Sequence, residues 1–243
     1  MSKQALKRIV NVDMKATESL NLDSLGIYIR FDDTNIMNAK AIIVGPRDTP
    51  YEHGIYCFHI SFPNDYPFSP PKVLYVSTSK VRIHPNLYVG RSHNQFRGKV
   101  CLSLINTWSG PKWTSIMNIA SIMMSVQSLL DDNPLRNEPG YENVKGTRSD
   151  VYNMIVSQNN YLHGMMVNGN LQYPGSLLGE YDQFKDIIKE HFTKHKQEIL
   201  GKLKTLQEKH PHQLECKLST YRIEDIVDYP RLYEMMYKHL TPL

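Results

Sequence analysis

An α+β fold follows from the order of apolar patterns along this chain of 243 residues: one amphipathic stretch, four strand-like runs, then helical spacing. The runs are Ile27–Phe31, Ala41–Val44, Tyr56–Phe62 and Lys72–Val76. Gly, Pro and Asp clusters separate them, which predicts a four-stranded antiparallel meander. Before it, Leu6, Ile9, Val10 and Met14 recur at helical spacing within 4–20, so an N-terminal helix is expected with Lys3, Lys7 and Arg8 on its wetter side. Within the third run, Tyr56, Phe58, Ile60 and Phe62 share one face by period two and belong to the core.

A central helix is predicted over Thr114–Leu130, where Ile116, Ile119, Ala120, Met123, Met124, Gln127 and Leu130 make a broad stripe. Thr114 or Ser115 is its expected cap, and Asp131-Asp132-Asn133-Pro134 ends it. From Asp150 onward the spacing is helical again through Tyr152, Ile155, Val156, Asn159 and Leu162. A longer helix is expected over Glu180–Leu206, carried by Phe184, Ile188, His195, Ile199 and Leu206 and weakened by Gly201. Between the two, Asn168-Gly169-Asn170 and Pro174-Gly175-Ser176 mark a loop. The expected organisation is therefore a core at 1–165 and a helical C-terminal extension at 166–243, of which 207–243 carries no readable pattern beyond a break at His210-Pro211-His212.

With 41% hydrophobic residues the chain can bury a full core. No run approaches eighteen apolar residues, and Met1-Ser2-Lys3-Gln4 lacks the apolar centre of a secretory signal. A soluble, cytoplasmic or nuclear protein with no membrane partner is expected. Three cysteines without an export signal argue for reduced thiols. A formal charge of +4, with Lys and Arg dispersed, gives no nucleic-acid footprint.

The candidate chemistry lies at Cys101, reached from His84-Pro85-Asn86-Leu87-Tyr88 through Gly98-Lys99-Val100. Pro85 fixes its own φ and biases His84 toward extended backbone, so the segment entering Asn86 is stiff and can aim that side chain. Gly98 permits a tight reversal, and the apolar run then presents Cys101 at the edge of ordered structure. An amide N–H near a thiol can donate to the oxyanion formed when a thioester is attacked, worth on the order of 3 kcal/mol when well placed. Against this stands the commoner case of a cysteine that only packs. Two further readings compete, a Cys/His hydrolase of Cys101 and His84 and a metal site of His84, His93 and Cys101. No cysteine-protease signature surrounds Cys101, and no closely spaced ligand pair has a second pair to complete it. Cys57, in a strand-like run, and Cys216, in the tail, read as packing residues.

Further motifs flank the pair in a consistent order. Upstream are Val44-Gly45-Pro46, Thr49-Pro50-Tyr51, Gly54-Ile55-Tyr56 and the run Phe62-Pro63-Asn64-Asp65-Tyr66-Pro67-Phe68-Ser69-Pro70-Pro71-Lys72-Val73. Downstream are Trp108, Trp113 and Asn137-Glu138-Pro139-Gly140-Tyr141-Glu142. From about Lys3 to about Tyr161 this order resembles the ubiquitin-conjugating enzyme (UBC) family. Asn106-Thr107-Trp108, Asn86-Leu87-Tyr88 and the Asn137–Glu142 run are most similar to the conjugating domains of the large, Apollon-like hybrid conjugating enzyme/ligases.

The resemblance implies a UBC fold with a catalytic-cysteine loop. It implies a reaction in which Cys101 accepts ubiquitin as a thioester from the activating enzyme and passes it to a substrate lysine. Asn86 is then the oxyanion or loop-ordering group, His84 braces the loop, and Asn133 orients the incoming lysine without being able to act as a base. Lys7 and Arg8 contact the activating enzyme, and Phe68 and Ser109 contact a RING ligase. No metal or organic cofactor is implied, since ATP is consumed by the activating enzyme. The alternative within the family is a catalytically impaired adaptor that only binds ubiquitin. Two departures stand out. Val89–Arg97 lengthens the turn before Cys101, and Thr107-Trp108-Ser109-Gly110-Pro111-Lys112-Trp113 replaces the Ser-Pro-Ala of many ligase-binding members.

Overall fold

The computed structural model describes residues 2–90, 97–169 and 177–242. Its contacts gather Met1–Val44, Tyr56–Ser77 and Asn86–Leu130 into one unit and Gly45–Ile55, Thr78–Pro85 and Asp131–Leu243 into a second. Both units interleave in sequence, a different partition from the linear one at 165/166.

The first unit begins with α1 (Lys3–Arg8), a π-helical turn at Ile9–Met14 and α2 (Lys15–Ser19). Its buried stripe is Ala5, Ile9 and Asp13, one helical turn apart, while Val10 is 45% exposed. The expected apolar face is thus corrected, because a carboxylate occupies it. Asp13 Oδ1 accepts from the Tyr66 hydroxyl at 2.7 Å and from the Ile119 N–H at 2.9 Å. Arg8 is also turned inward, donating from Nη2 to the Met117 carbonyl at 2.5 Å.

The sheet runs in sequence order, β1 (Ile27–Phe31), β2 (Asn38–Val44), β3 (Ile55–Ser61), β4 (Lys72–Val76) and β5 (Arg97–Lys99). The four expected runs are all strands, and β1 and β4 have the expected bounds. The fifth strand corrects the four-stranded expectation. It pairs antiparallel with β4 through Leu74↔Lys99, Tyr75↔Gly98 and Val76↔Arg97. Arg97-Gly98-Lys99 has no apolar alternation, so only β4 offering its edge makes it a strand. In β3 the expected face is core, with Tyr56, Phe58 and Ile60 at most 2% exposed, and Cys57 on the other face is buried as well.

The central helix, α3, runs only from Ile119 to Leu129. Its cap is Asn118 instead of Thr114 or Ser115. Asn118 Oδ1 accepts from the Ser121 N–H while Ser121 Oγ accepts from the Asn118 N–H, a reciprocal box that fixes the start. Ile116 therefore lies outside the helix and is 85% exposed. Ile119, Ala120, Ile122, Met123 and Val126 form the buried face.

In the second unit, α4 (Thr147–Asn159) continues as a π-helical segment, Asn160–Val167, and buries Tyr152, Ile155, Val156 and Asn159. A 3-10 segment, Leu177–Phe184, leads into α5 (Lys185–Lys209), which passes through Gly201 unbroken. The segment without a readable pattern forms a hairpin, β6 (Leu214–Leu218) against β7 (Ile223–Val227), followed by α6 (Tyr229–Leu240). The extension is thus helical with a two-stranded insertion. Part of the loop expected between the helices, from 170 to 176, lies outside the described residues. Among the described residues, no helix is long and apolar enough to cross a membrane.

Burial pushes the Asp13 carboxyl above its ordinary range, against the Tyr66 and Ile119 hydrogen bonds and the Arg8 charge, which pull it down. A carboxyl raised on folding binds its proton more tightly in the native state, so its contribution is greatest below the unfolded value and is lost as pH rises through the folded one. Asp13→Asn keeps an oxygen for both donors and removes the titration. Chemical unfolding from pH 4 to 7 is expected to show the wild type losing stability relative to Asp13→Asn as pH rises; a pH-independent difference would contradict this.

Candidate functional site: a clamped cysteine

Residues 86–88 run antiparallel to 99–101. The Tyr88 N–H donates to the Lys99 carbonyl at 3.0 Å, the Cys101 N–H donates to the Asn86 carbonyl at 2.8 Å, and Leu87 faces Val100 in a bridge. Asn86 then adds its side chain, with Nδ2 donating to the Cys101 carbonyl at 2.8 Å. Both polar groups of the Cys101 backbone are thus held by one residue. With that backbone fixed, χ1 is the remaining freedom that aims Sγ. Gly98 makes the approach feasible, since a Cβ there would stand 1.5 Å from the Tyr88 carbonyl oxygen.

Beyond Cys101 a 3-10 turn, Ser103–Ile105, ends at Asn106 in the left-handed region (φ 59°), which Asn tolerates better than most residues. The Thr107 hydroxyl closes the turn. It accepts from the Leu102 N–H at 2.8 Å and shares its proton between the carbonyls of Val100 (2.7 Å) and Leu102 (3.1 Å). Asn106 Oδ1 accepts from the Trp113 N–H at 3.0 Å, and Trp113 Nε1 donates to the Pro67 carbonyl at 2.7 Å. Thr107 and Trp113 organise the cysteine turn and the Tyr66–Phe68 loop. Neither role is readable from residue type, because both depend on partners that only folding supplies.

Cys101 is 2% exposed and Asn86 8%. Most of the Val89–Arg97 insertion, including His93, lies outside the described residues. No disulfide joins Cys57, Cys101 and Cys216. Burial pushes the Cys57 thiol up to about 12, and burial followed by the Asp225 charge raises that of Cys216. Both are protonated at neutral pH, as packing residues should be.

The remaining candidates fall in different surroundings. His84, in the second unit, is fully buried with its ring tilted on Tyr51 at 6.3 Å, and the Tyr51 hydroxyl donates to the Ile83 carbonyl at 2.7 Å. The arrangement pins the chain just before Pro85. Asn133 is buried in the same unit, where its Oδ1 accepts from Ser149 Oγ at 2.5 Å and its N–H donates to Asp131 Oδ1 at 3.0 Å. Lys7 is exposed, whereas Arg8 is committed to Met117 and lies 5.9 Å from the Tyr66 ring centroid. Phe68 is 67% exposed and Ser109 is exposed.

Residues 11–157 match the sequence model of the family described as "Ubiquitin-conjugating enzyme". The chain is 34% identical over 180 residues to the ubiquitin-conjugating enzyme E2 Z of Xenopus tropicalis, covering 69% of this chain and 55% of that protein. It is 34% identical over 203 residues to the human dual E2 ubiquitin-conjugating enzyme/E3 ubiquitin-protein ligase BIRC6, covering 80% of this chain and 4% of that protein. The probable ubiquitin-conjugating enzyme protein 17 of Caenorhabditis elegans is 35% identical over 202 residues, covering 80% and 26%. The chain spans about half the length of the E2 Z relatives from frog and zebrafish. A clamped cysteine after an Asn-Leu-Tyr strand, in an α+β fold that this family's model matches over more than half of the chain, means that the chain belongs to the ubiquitin-conjugating enzyme family.

Proposed function

We propose that this chain carries ubiquitin as a thioester on Cys101 and delivers it to a substrate lysine. The single observation that supports Cys101 most is its backbone clamp, both polar groups held by Asn86. In loading, the Cys101 thiolate attacks the thioester carbonyl on the activating enzyme; a new C–S bond forms and the old one breaks. In discharge, a neutral lysine amine attacks, the C–N bond forms, Cys101 leaves as thiolate and the amine proton passes to solvent. Sulfur suits both steps, being a good nucleophile and a better leaving group than a serine oxygen. ATP is used by the activating enzyme, and no cofactor enters these steps.

Asn86 serves first to order the loop, since its Nδ2 already binds the Cys101 carbonyl; stabilising the oxyanion is its second role, taken up as the amine attacks. Asn133 orients and does not take protons. Lys7 is the cation offered to the activating enzyme, with Arg8 shaping the helix behind it. The hybrid relatives and the replaced Ser-Pro-Ala favour slow discharge without a separate RING ligase, with Val89–Arg97 and 180–243 contacting substrate. The working division stays a conjugating core at 1–165 and an extension at 166–243. The 2% exposure of Cys101 favours a second reading, an adaptor that binds ubiquitin without loading it. The first experiment decides between them.

With ubiquitin, activating enzyme and ATP, the chain is expected to form a reductant-sensitive adduct that Cys57→Ala and Cys216→Ala retain and Cys101→Ala loses. Cys101→Lys should give a reductant-resistant amide. Absence of any adduct on the wild type would leave the adaptor reading standing.

Asn86→Ala should still load, while single-turnover discharge to free lysine slows on the order of 10²-fold, as for loss of an oxyanion donor. Equal losses in both steps would confine Asn86 to ordering the loop.

Phe68→Ala is expected to leave unassisted lysine discharge within about twofold of wild type, since an exposed ring matters only to a partner that covers it. If discharge instead required a RING ligase and Phe68→Ala abolished it, an ordinary ligase-dependent enzyme would replace the hybrid reading.

A further inference from the structure

Outside the cysteine site, the second unit gathers three imidazoles and two carboxylates where the Gly45–Ile55 segment meets α5. His53 is 4% exposed and sits at φ 61°, in the left-handed region. Its ring lies 4.8 Å from that of His195 and 5.3 Å from that of His191. His53 Nδ1 is 3.3 Å from His191 Nε2. On its other side, His53 Nε2 lies 3.5 Å from Glu198 Oε2 and 3.7 Å from Glu52 Oε1, and His195 Nδ1 is 3.1 Å from the same Glu198 oxygen. Lys202 holds the outer oxygens, Glu52 Oε2 at 2.5 Å and Glu198 Oε1 at 3.7 Å. The inner oxygens are left facing His53.

Two of these inner atoms, His53 Nε2 and Glu52 Oε1, are buried with no hydrogen-bond partner among the described residues. When His53 Nδ1–H donates to His191, His53 Nε2 carries a lone pair aimed at two carboxylate oxygens. Three acceptors facing one another in this way repel unless a cation, or a proton on Nε2, lies between them. The ligand atoms of His53, His195 and Glu198 all lie within 4.8 Å of one another. Bonds of about 2.0–2.1 Å to a tetrahedral ion put its ligands about 3.3 Å apart. The 3.1 Å and 3.5 Å separations bracket that edge.

We propose that His53 Nε2, His195 Nδ1 and Glu198 Oε2 bind a divalent transition ion of the zinc type, with Glu52 Oε1 as the fourth donor and His191 as the hydrogen-bond partner that fixes the His53 tautomer. Imidazole with carboxylate selects this class over magnesium or calcium, which take all-oxygen shells. Four protein donors close the sphere, so the ion is a structural clip between the Gly45–Ile55 segment and α5 and has no part in acyl transfer. The cation it displaces is Arg47, which touches Glu198 Oε2 at 3.5 Å from a side chain 68% exposed. On α5 the two histidines form the spacing His-x-x-x-His. Only His195 of that pair is a ligand, with Glu198 one turn on and Glu52 and His53 from a distant segment, which is why the spacing alone says little.

The test uses the full chain after chelation, titrated with Co2+ and then with Zn2+. The expected result is one equivalent of Co2+ with the strong visible bands of a tetrahedral site, displaced by Zn2+, and a higher Tm with Zn2+. His195→Gln and Glu198→Gln, both partly exposed, avoid the folding risk of changing His53. Each should weaken binding by at least about tenfold and remove the Zn2+-dependent rise in Tm, while His212→Gln does neither. No stoichiometric binding in the wild type, or binding that both variants retain, would overturn the proposal and leave a neutral His53 with its proton on Nε2, facing the two carboxylates.

Discussion

The pairing of Asn86-Leu87-Tyr88 with Lys99-Val100-Cys101 is the interaction on which the candidate site depends. A cysteine on a loop has two soft backbone torsions and a side-chain torsion, and a reactive thiol needs most of that freedom removed. Here both hydrogen bonds of the cysteine's own peptide groups end on Asn86. The approach requires Gly98 opposite the Tyr88 carbonyl, where even a methyl group would collide. β5, too short and too polar to be a strand by itself, becomes one because β4 pairs with it and carries the chain into Cys101.

Around that clamp the first unit is organised by a few polar side chains that reach across sequence. Asp13 joins the N-terminal helical segment to Tyr66 and to the first N–H of α3. Trp113 ties its loop to Pro67. These bonds explain a division of labour among the charged and aromatic residues. Arg8 and Trp113 are used internally, which leaves Lys7 and Phe68 presented to solvent. The apolar or charged ends of such surface residues have no internal use.

The second unit has a different character. α4 and its π-helical continuation supply amides instead of apolar side chains at several buried positions. Asn159 Oδ1 accepts from Ser79 Oγ, Asn160 Nδ2 donates to the Glu52 carbonyl, and Asn168 Nδ2 donates to the Ile55 carbonyl. Gln158 does the same for the β6–β7 hairpin, donating to the Ile226 carbonyl and accepting from the Asp228 N–H. Buried loops must have their backbone groups satisfied by something, and here side-chain amides do it. His53 of the histidine cluster lies on the same Gly45–Ile55 segment, which therefore contacts both the α4 continuation and α5.

Sequence alone determined the α+β class, the runs that became β1 to β4, the existence of α3 to α5, the family, and Cys101 and Asn86 as a pair. All of these rest on local apolar period or on ordered motifs, which survive without knowledge of partners. Tertiary structure decided what depends on a distant group. It turned Arg97-Gly98-Lys99 into a strand, moved the start of α3 to Asn118, put Asp13 in the core stripe in place of Val10, and folded 214–227 into a hairpin. It also gave the Thr107 hydroxyl its three hydrogen bonds and brought His53 to His191 and His195 across a long separation in sequence. Such roles are set by which polar groups must be satisfied in a packed interior, a constraint that exists only once the chain has closed on itself.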